Sequence, residues 1–327
     1  MWIMMNWPKT LLTTAHGEYR AIAPLIVSAS RATDIPAFHM AWLMRRLREG
    51  YCVWVNPFTR VPHYVSFRHC KFLVFWSKNP APLIPHLEEL RDKGLDLYVQ
   101  FTLNDYEAEG LEPGLPSLQR RMETFARLSE LLGRQRVLWR FDPLLLGTDL
   151  PVETLLERIA RLAGTLQYLT DTLTFSFLDI APYARVRARL HKHFPAIREP
   201  GGEECLRLAA GIARGNAALH MPLALAACAE NAVLSACGIR KASCVDAARI
   251  GLLCPDAAMP LPVKDTGQRA ACGCAPSKDI GAYGTCMHGC AYCYANSSAS
   301  ASRRRMASCN EASESLQLDL CPDMPYP

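Results

Sequence analysis

Short, almost wholly apolar runs alternate along the chain with longer stretches in which apolar residues recur every three or four positions. The runs are Leu25–Ser30, Tyr51–Asn56, Phe72–Lys78, Leu97–Leu103, Val137–Phe141, Leu173–Asp179 and Pro222–Ala227. They are rich in Val, Ile, Phe, Tyr and Trp and show little alternation, the pattern of strands buried on both faces. The periodic stretches are Ala37–Glu49, Ala81–Lys93, Ser117–Leu132, Pro151–Leu166, Glu203–His220 and Val233–Leu253, and these predict helices. Pro116-Ser117 and Thr148-Asp149 precede two of them as start signals, and Pro151 suits a first helical turn. Gly50, Gly94 and Gly133 close three as C-terminal caps. The insert Thr59–Phe67 reads as a hairpin, and the first twenty residues carry no period.

Strands alternating with helices predict β–α–β units and a parallel sheet, either a barrel or a doubly wound open sheet. Polar residues at nearly every strand end favour the barrel, because a parallel barrel gathers its strand C-termini around one mouth. These are Ser28, Ser30 and Arg31; Asn56; Ser77, Lys78 and Asn79; Thr102 and Asn104; Arg140 and Asp142; Ser176 and Asp179; and Cys228 and Glu230. The expected fold class is therefore α/β, a parallel (β/α) barrel, TIM-like or partial. Its expected organisation is a lead-in at 1–20, the barrel at 21–262, a cysteine-rich segment at 263–296 and a Ser/Ala-rich disordered tail at 297–327.

Composition narrows the function. Half of the 327 residues are hydrophobic, yet no uninterrupted apolar stretch is long enough to predict a membrane span. The start MWIMMNWPK lacks the pattern of a secretory leader, so the expected location is cytoplasmic. In a reducing compartment, 14 cysteines point to metal binding before disulfides. The net charge of +5 permits an anionic substrate without indicating nucleic acid. Arg45-Arg46 and Arg120-Arg121 fall at helical spacing as solvated faces, and Arg303–Arg305 lies in the tail. No Gly-x-Ser-x-Gly elbow follows a strand, which argues against a serine hydrolase.

The segment 281-GAYGTCMHGCAYCYAN-296 places Cys286, Cys290 and Cys293 in a C-x3-C-x2-C spacing. Three thiolates on so short a loop can converge on one inorganic centre. A structural zinc would need a fourth ligand, with His288 as a candidate. A cubane iron–sulfur cluster held by three cysteines would leave one iron open. Cys228, Cys244, Cys272 and Cys274 form a looser second set, suited to a second iron–sulfur cluster or a structural zinc. The plainer alternative for that set is buried free thiols. Cys52, Cys70, Cys205, Cys237, Cys254, Cys309 and Cys321 read as structural or tail thiols.

The C-x3-C-x2-C segment, with His288-Gly289-Cys290 and Tyr292-Cys293-Tyr294-Ala295, resembles the cluster loop of radical S-adenosylmethionine enzymes. The branch it most resembles is that of spore photoproduct lyase. There the loop follows the first strand, whereas here it lies near the C-terminus. Other segments resemble that branch in shifted order: SASRATDIPAF at 28–38, WSKNP at 76–80, LEPGLPSLQRR at 111–121 and RFDPLLL at 140–146. The resemblance thus implies a circularly permuted barrel whose first strand is encoded last, as Asp279–Tyr283. From about residue 21 to 296 the chain also resembles the bacterial family described as domain of unknown function 1848, which implies no substrate.

The resemblance to the radical enzymes also implies cofactors and roles. Cys286, Cys290 and Cys293 would bind a [4Fe-4S] cluster whose open iron takes S-adenosylmethionine, with a reductant such as flavodoxin or ferredoxin supplying electrons. A carboxylate in a dry barrel mouth calls for a cation. Lys78 is the first candidate and Arg140 the second, with Thr102 and Ser176 offering hydroxyls to the cofactor. Asp34 would accept from substrate. The structural alternatives are a solvated strand-end lysine for Lys78, an ion pair with Asp142 or Glu112 for Arg140, and a helix cap for Asp34. The competing function is a non-catalytic barrel whose cysteines hold zinc or a redox cluster.

Overall fold

The computed structural model describes residues 7–228, 234–259, 263–269 and 272–317. The chain opens with strands β1 (Lys9–Thr14), β2 (Gly17–Ile22) and β3 (Ile26–Ala29). Helices α1 (Ile35–Phe38) and α2 (Met40–Glu49) lead to β4 (Tyr51–Val55), β5 (Pro62–Ser66) and β6 (Phe72–Ser77). Next come α3 (Leu87–Asp92), β7 (Asp96–Thr102), α4 (Leu118–Leu132), β8 (Val137–Leu144), α5 (Val152–Leu166) and β9 (Thr172–Phe177). After α6 (Ala184–His193) and α7 (Gly202–Ala217) come β10 (Ala224–Ala227), β11 (Arg240–Lys241) and α8 (Ala247–Leu253). The last elements are β12 (Lys278–Asp279) and α9 (Ala299–Ser308).

An eight-stranded sheet runs in the order β11-β10-β9-β8-β7-β6-β3-β12, and every neighbouring pair is parallel. β11 and β12 are its two edges, so among the described residues the sheet is open and no closed ring forms. The architecture is mixed α/β on a large parallel sheet.

Because successive side chains alternate across a strand, each strand serves two cores. Val27, Leu73, Phe75, Val99, Phe101, Trp139, Phe141 and Phe175 join the helices in the main core. Ile26, Phe72, Val74, Tyr98 and Leu138 face the other way into a smaller core, closed by Val245, Ile250, Ala257, Cys272 and Cys274. Burying side chains of this size contributes roughly 1.5–3 kcal/mol each. Further along the strands the second face turns polar: Ser28, Gln100, Thr102, Arg140 and Ser176 occupy the matching positions. The apolar half anchors the sheet, and the polar half is the mouth.

Several expectations need correction. Tyr51–Asn56 is not a strand of the parallel sheet. As β4 it joins a separate four-stranded sheet in the order β1-β2-β5-β4, where the predicted hairpin at 59–67 supplies β5. The supposed lead-in contains the hairpin β1–β2, missed because Ala21 is its one buried residue and the others are half-buried or exposed. Val233–Leu253 is no single helix: β11 interrupts it and only Ala247–Leu253 is α-helical. The tail carries α9, and beyond it Glu314 O accepts from Val53 N at 2.8 Å. Glu230, Val233 and Cys321 lie outside the described residues. No helix among the described residues is long and apolar enough to cross a membrane.

Candidate functional site

The cysteine loop comes directly after β12, which pairs with β3 through Lys278–Val27 and Asp279–Ser28. The first turn after the strand is tight. A Cβ on Gly281 would stand 1.9 Å from Ser30 Oγ, and Ile280 N donates to Ser28 O at 3.2 Å. Gly284 N donates to Ala295 O at 3.0 Å and closes the loop on itself. Asn296 Nδ2 donates to Cys286 O at 2.8 Å. From α6, Arg189 donates to the carbonyls of Ala291, Cys293 and Asn296. From the segment after β7, Gly114 N donates to His288 O at 2.8 Å, and Ala291 N donates to Leu111 O at 2.8 Å. The loop is therefore fastened to several separate parts of the strand-end surface.

His288 bonds inward to Asp34, its Nε2 lying 2.7 Å from Asp34 Oδ2. The other ring nitrogen, Nδ1, faces Gly114 O at 3.5 Å, so the ring is held between α1 and the segment after β7. Asp34 in turn caps α1 through Ala37 N at 3.0 Å and accepts from Lys78 N at 2.8 Å. Burial works to raise its pKa, but His288 and the amide of Lys78 outweigh burial and hold it below the usual carboxylate value. Asp34 thus ties α1, the end of β6 and the cysteine loop together.

Lys78, Glu112, Asn104 and Tyr292 form a buried network next to Cys290. Lys78 Nζ donates to Glu112 Oε1 at 2.6 Å and to Tyr292 Oη at 3.0 Å. Tyr292 Oη donates to the same Glu112 oxygen, and Asn104 Nδ2 reaches it at 3.2 Å. Asn104 also donates to Asp142 O at 3.0 Å and accepts from Asp142 N at 2.9 Å. Glu112 Oε2 is buried without a hydrogen bond, and Arg121 Nη1 stands 3.9 Å from it. Burial alone would lower the pKa of Lys78, but Glu112 and Cys290 reverse this and the net shift is upward. Glu112 is held down, with Lys78 outweighing the upward push of burial. The reading of Lys78 as a solvated strand-end lysine is thereby excluded.

Cys290 is buried, and Cys286 and Cys293 are half-buried. Burial pushes the Cys290 thiol well up, with Lys78 opposing, and Cys286 up to about 12. All three are free thiols. Among the described residues no group of three or more His, Cys, Asp or Glu side chains is arranged to hold a metal ion.

Arg140 pairs with Asp142 as its structural alternative expected, and not with Glu112. Its Nη1 donates to Cys244 Sγ at 3.0 Å. Ser176 donates to the other Asp142 oxygen, and Thr102 sits beside Arg140 in register. On this side Cys228 Sγ and Cys244 Sγ are 3.4 Å apart. Cys274 lies near enough to Cys244 and to Cys272 for their thiols to shift one another. The structure thus brings both cysteine sets to the polar half of the sheet. It places Lys78 and Asp34 with the triad, and Arg140, Ser176 and Thr102 towards the second set.

Glu112 and Tyr292 were not singled out as site residues from sequence. Tyr292 lies inside the cysteine motif, which was a usable signal. Glu112 pairs across 34 residues with Lys78, and nothing local in its sequence announces that.

A family model matches residues 26–295, from β3 through the cysteine loop. The chain belongs to the family described as domain of unknown function 1848. Its matched region thus spans the whole parallel sheet and both cysteine sets, and excludes β1, β2 and α9. No curated protein and no solved structure is significantly similar to this member of the domain of unknown function 1848 family.

Proposed function

We propose that this chain is a radical S-adenosylmethionine enzyme built on a circularly permuted partial (β/α) barrel, with Cys286, Cys290 and Cys293 as the ligands of a [4Fe-4S] cluster. The observation that carries the reading is that the cysteine loop follows β12 at the strand-end mouth and is bonded, through Tyr292 two residues after Cys290, into the Lys78–Glu112 network. The chemistry of the donors fits such a group, and loading would gather the three sulfurs, which the loop alone does not. Iron–sulfur clusters take thiolates, these thiols are unpaired, and an ammonium next to Cys290 offsets charge when its proton is displaced. Bound there, the cluster would be the source of the electron that reductive cleavage of S-adenosylmethionine requires.

The protein's own residues do the rest. Lys78 has three N–H donors and gives two, to Glu112 and Tyr292. The third is left for the cofactor's carboxylate. Glu112 and Asn104 hold that ammonium and Tyr292 in fixed orientation, while Asp34 and His288 fix the loop between the first two cysteines. Arg140, Asp142 and Ser176 shape the opposite wall of the mouth.

The test is anaerobic reconstitution with iron and sulfide, then addition of dithionite and S-adenosylmethionine. The expected result is a bound four-iron cluster and release of 5′-deoxyadenosine, both abolished by Cys290→Ala. A loaded cluster that yields no 5′-deoxyadenosine would reduce the chain to a metal-binding protein. Anaerobically purified protein that carries zinc alone, and takes up no cluster, would overturn the proposal at its root.

A further inference from the structure

We propose that Cys228, Cys244, Cys272 and Cys274 hold a second metal centre, a zinc ion or an iron–sulfur cluster, that ties the two edges of the open sheet together. The four residues come from three distant segments. Cys228 lies just after β10, Cys244 after β11, and Cys272 and Cys274 lie on the segment that leads into β12. β11 and β12 are opposite edges of the sheet, and the segments beside them already meet through Ala275 N donating to Val245 O at 2.8 Å, so a centre shared by these thiols would fasten that junction. None of the four is in a disulfide.

The surroundings of the sulfurs separate a ligand set from ordinary core thiols. A neutral thiol sulfur is a weak acceptor, yet N–H donors converge on these. Arg140 Nη1 donates to Cys244 Sγ at 3.0 Å, and Val245 N to Cys274 Sγ at 3.4 Å. Cys274 N donates to Cys272 Sγ at 3.4 Å. Donors aimed at ligand sulfurs are the outer shell that metal–thiolate centres use. The local backbone is shaped to the same end. A Cβ on Gly273, between the paired cysteines, would meet Ser243 Oγ at 2.7 Å. Tyr98 Oη and Gln100 Nε2 both donate to the carbonyl of Cys244, at 2.6 and 2.9 Å, and fix its backbone.

As the thiols stand they are not gathered as a bound metal gathers them: Cys228 and Cys244 are 3.4 Å apart, close to the roughly 3.7 Å that two sulfurs on one zinc require, and loading draws Cys272 and Cys274 in to them. Binding releases the four thiol protons to solvent and forms metal–sulfur bonds in their place.

The experiment is cysteine footprinting of the full-length protein, purified anaerobically, loaded with zinc or with iron and sulfide, and compared with chelator-treated protein. Peptide mass spectrometry locates the thiols that metal protects from alkylation. With both centres filled, seven thiols change state. With this centre alone the four change, and with the triad alone only Cys286, Cys290 and Cys293 change, so this inference and the proposed function fail separately. Cys52 and Cys70, buried elsewhere, must stay protected throughout, which guards against unfolding by the chelator. Metal analysis then assigns zinc or iron. Cys272→Ser/Cys274→Ser should lose one zinc ion, or one cluster's iron, per chain, while Cys205→Ser/Cys254→Ser loses none. Equal alkylation of the four thiols in loaded and chelated protein overturns the proposal, as does a disulfide between Cys228 and Cys244 in anaerobic protein.

Discussion

Lys78 and Glu112 sit largely out of water, with side chains 16% and 4% exposed, so their charges are only weakly screened. Removing one partner strands the other in a dry site, which costs about 3–5 kcal/mol, whereas removing both costs far less. Lys78→Met and Glu112→Gln should each lower stability by about that amount in urea unfolding, and the double variant by clearly less than the sum. Equal and additive losses would mean the two do not act as a pair. The shifts set the sign of the pH dependence. Glu112 is held below its ordinary 4.5, so its contribution is present above that value and fades as pH falls through the lowered folded value. Lys78 is raised above 10.5, so its contribution is present below that value and fades as pH rises through the raised one. The coupling measured by the cycle should therefore be flat between about pH 5 and pH 10 and shrink outside that window. At this scale sequence was a partial guide. A lysine ending an apolar strand drew attention, but its partner sits in an irregular segment where no period constrains a glutamate.

At the scale of elements, the strands most legible in sequence are those buried on both faces, because helices cover one side and the smaller core the other. Leu25–Ser30, Phe72–Lys78 and Leu97–Leu103 each cover most or all of the observed strand, as β3, β6 and β7. Gly50, Gly94 and Gly133 come after their helices with φ of 84°, 66° and 87°, as expected of glycine at a C-terminus. β11 escaped because two paired residues leave no periodic trace, and β12, at Lys278–Asp279, shares only Asp279 with the strand that the resemblance implied at Asp279–Tyr283. Their placement depends on what they pack against. Gly114 shows how such distant packing is enforced: a Cβ there would meet Met287 O at 2.6 Å and His288 O at 2.7 Å. Both are backbone atoms of the cysteine loop and cannot swing aside. Gly114→Ala should cost about 1–3 kcal/mol, the usual range for overpacking. It should also raise hydrogen exchange across 284–296 more than in α5; uniform change across the chain would sink that account. Helix α7 offers a separate check. Glu204 accepts from Gly201 N at 2.8 Å and pairs with Arg198, which together lower its pKa to about 2. Its hold on the helix start is present above pH 4.5 and is lost as pH falls through about 2. Amides in the first turn of α7 should lose exchange protection in that window while those of α5 keep theirs.

For the whole molecule, the spatial order of strands departs from their chain order at one place: β12, encoded last, lies beside β3, the first strand of the sheet. An α/β protein with a parallel sheet was legible from strand–helix alternation, and the adjacency of last strand to first was implied by the shifted order of motifs. Closure was not, because it depends on the edges, and β11 and β12 pair with one neighbour each among the described residues. If the last strand belongs in the sheet as its structural first, its position in the sequence should not matter. A permutant can be made to start at Val263, run to Pro327, cross a Gly/Ser linker into Met1 and end at Pro262. Residues 318–327 and 1–6 lie outside the described structure and add sixteen residues to the join. Extended, those alone span up to about 50 Å. Lengthening a loop costs only about 0.6 kcal/mol per doubling. The permutant should therefore fold with the same far-UV circular dichroism, unfold cooperatively within a few kcal/mol of the parent, and bind the same metal per chain. Loss of folding with a long linker in place would show that the connection from α8 into the cysteine segment must be continuous. Folding with loss of metal would show that β12 finds its edge but the thiols behind it do not.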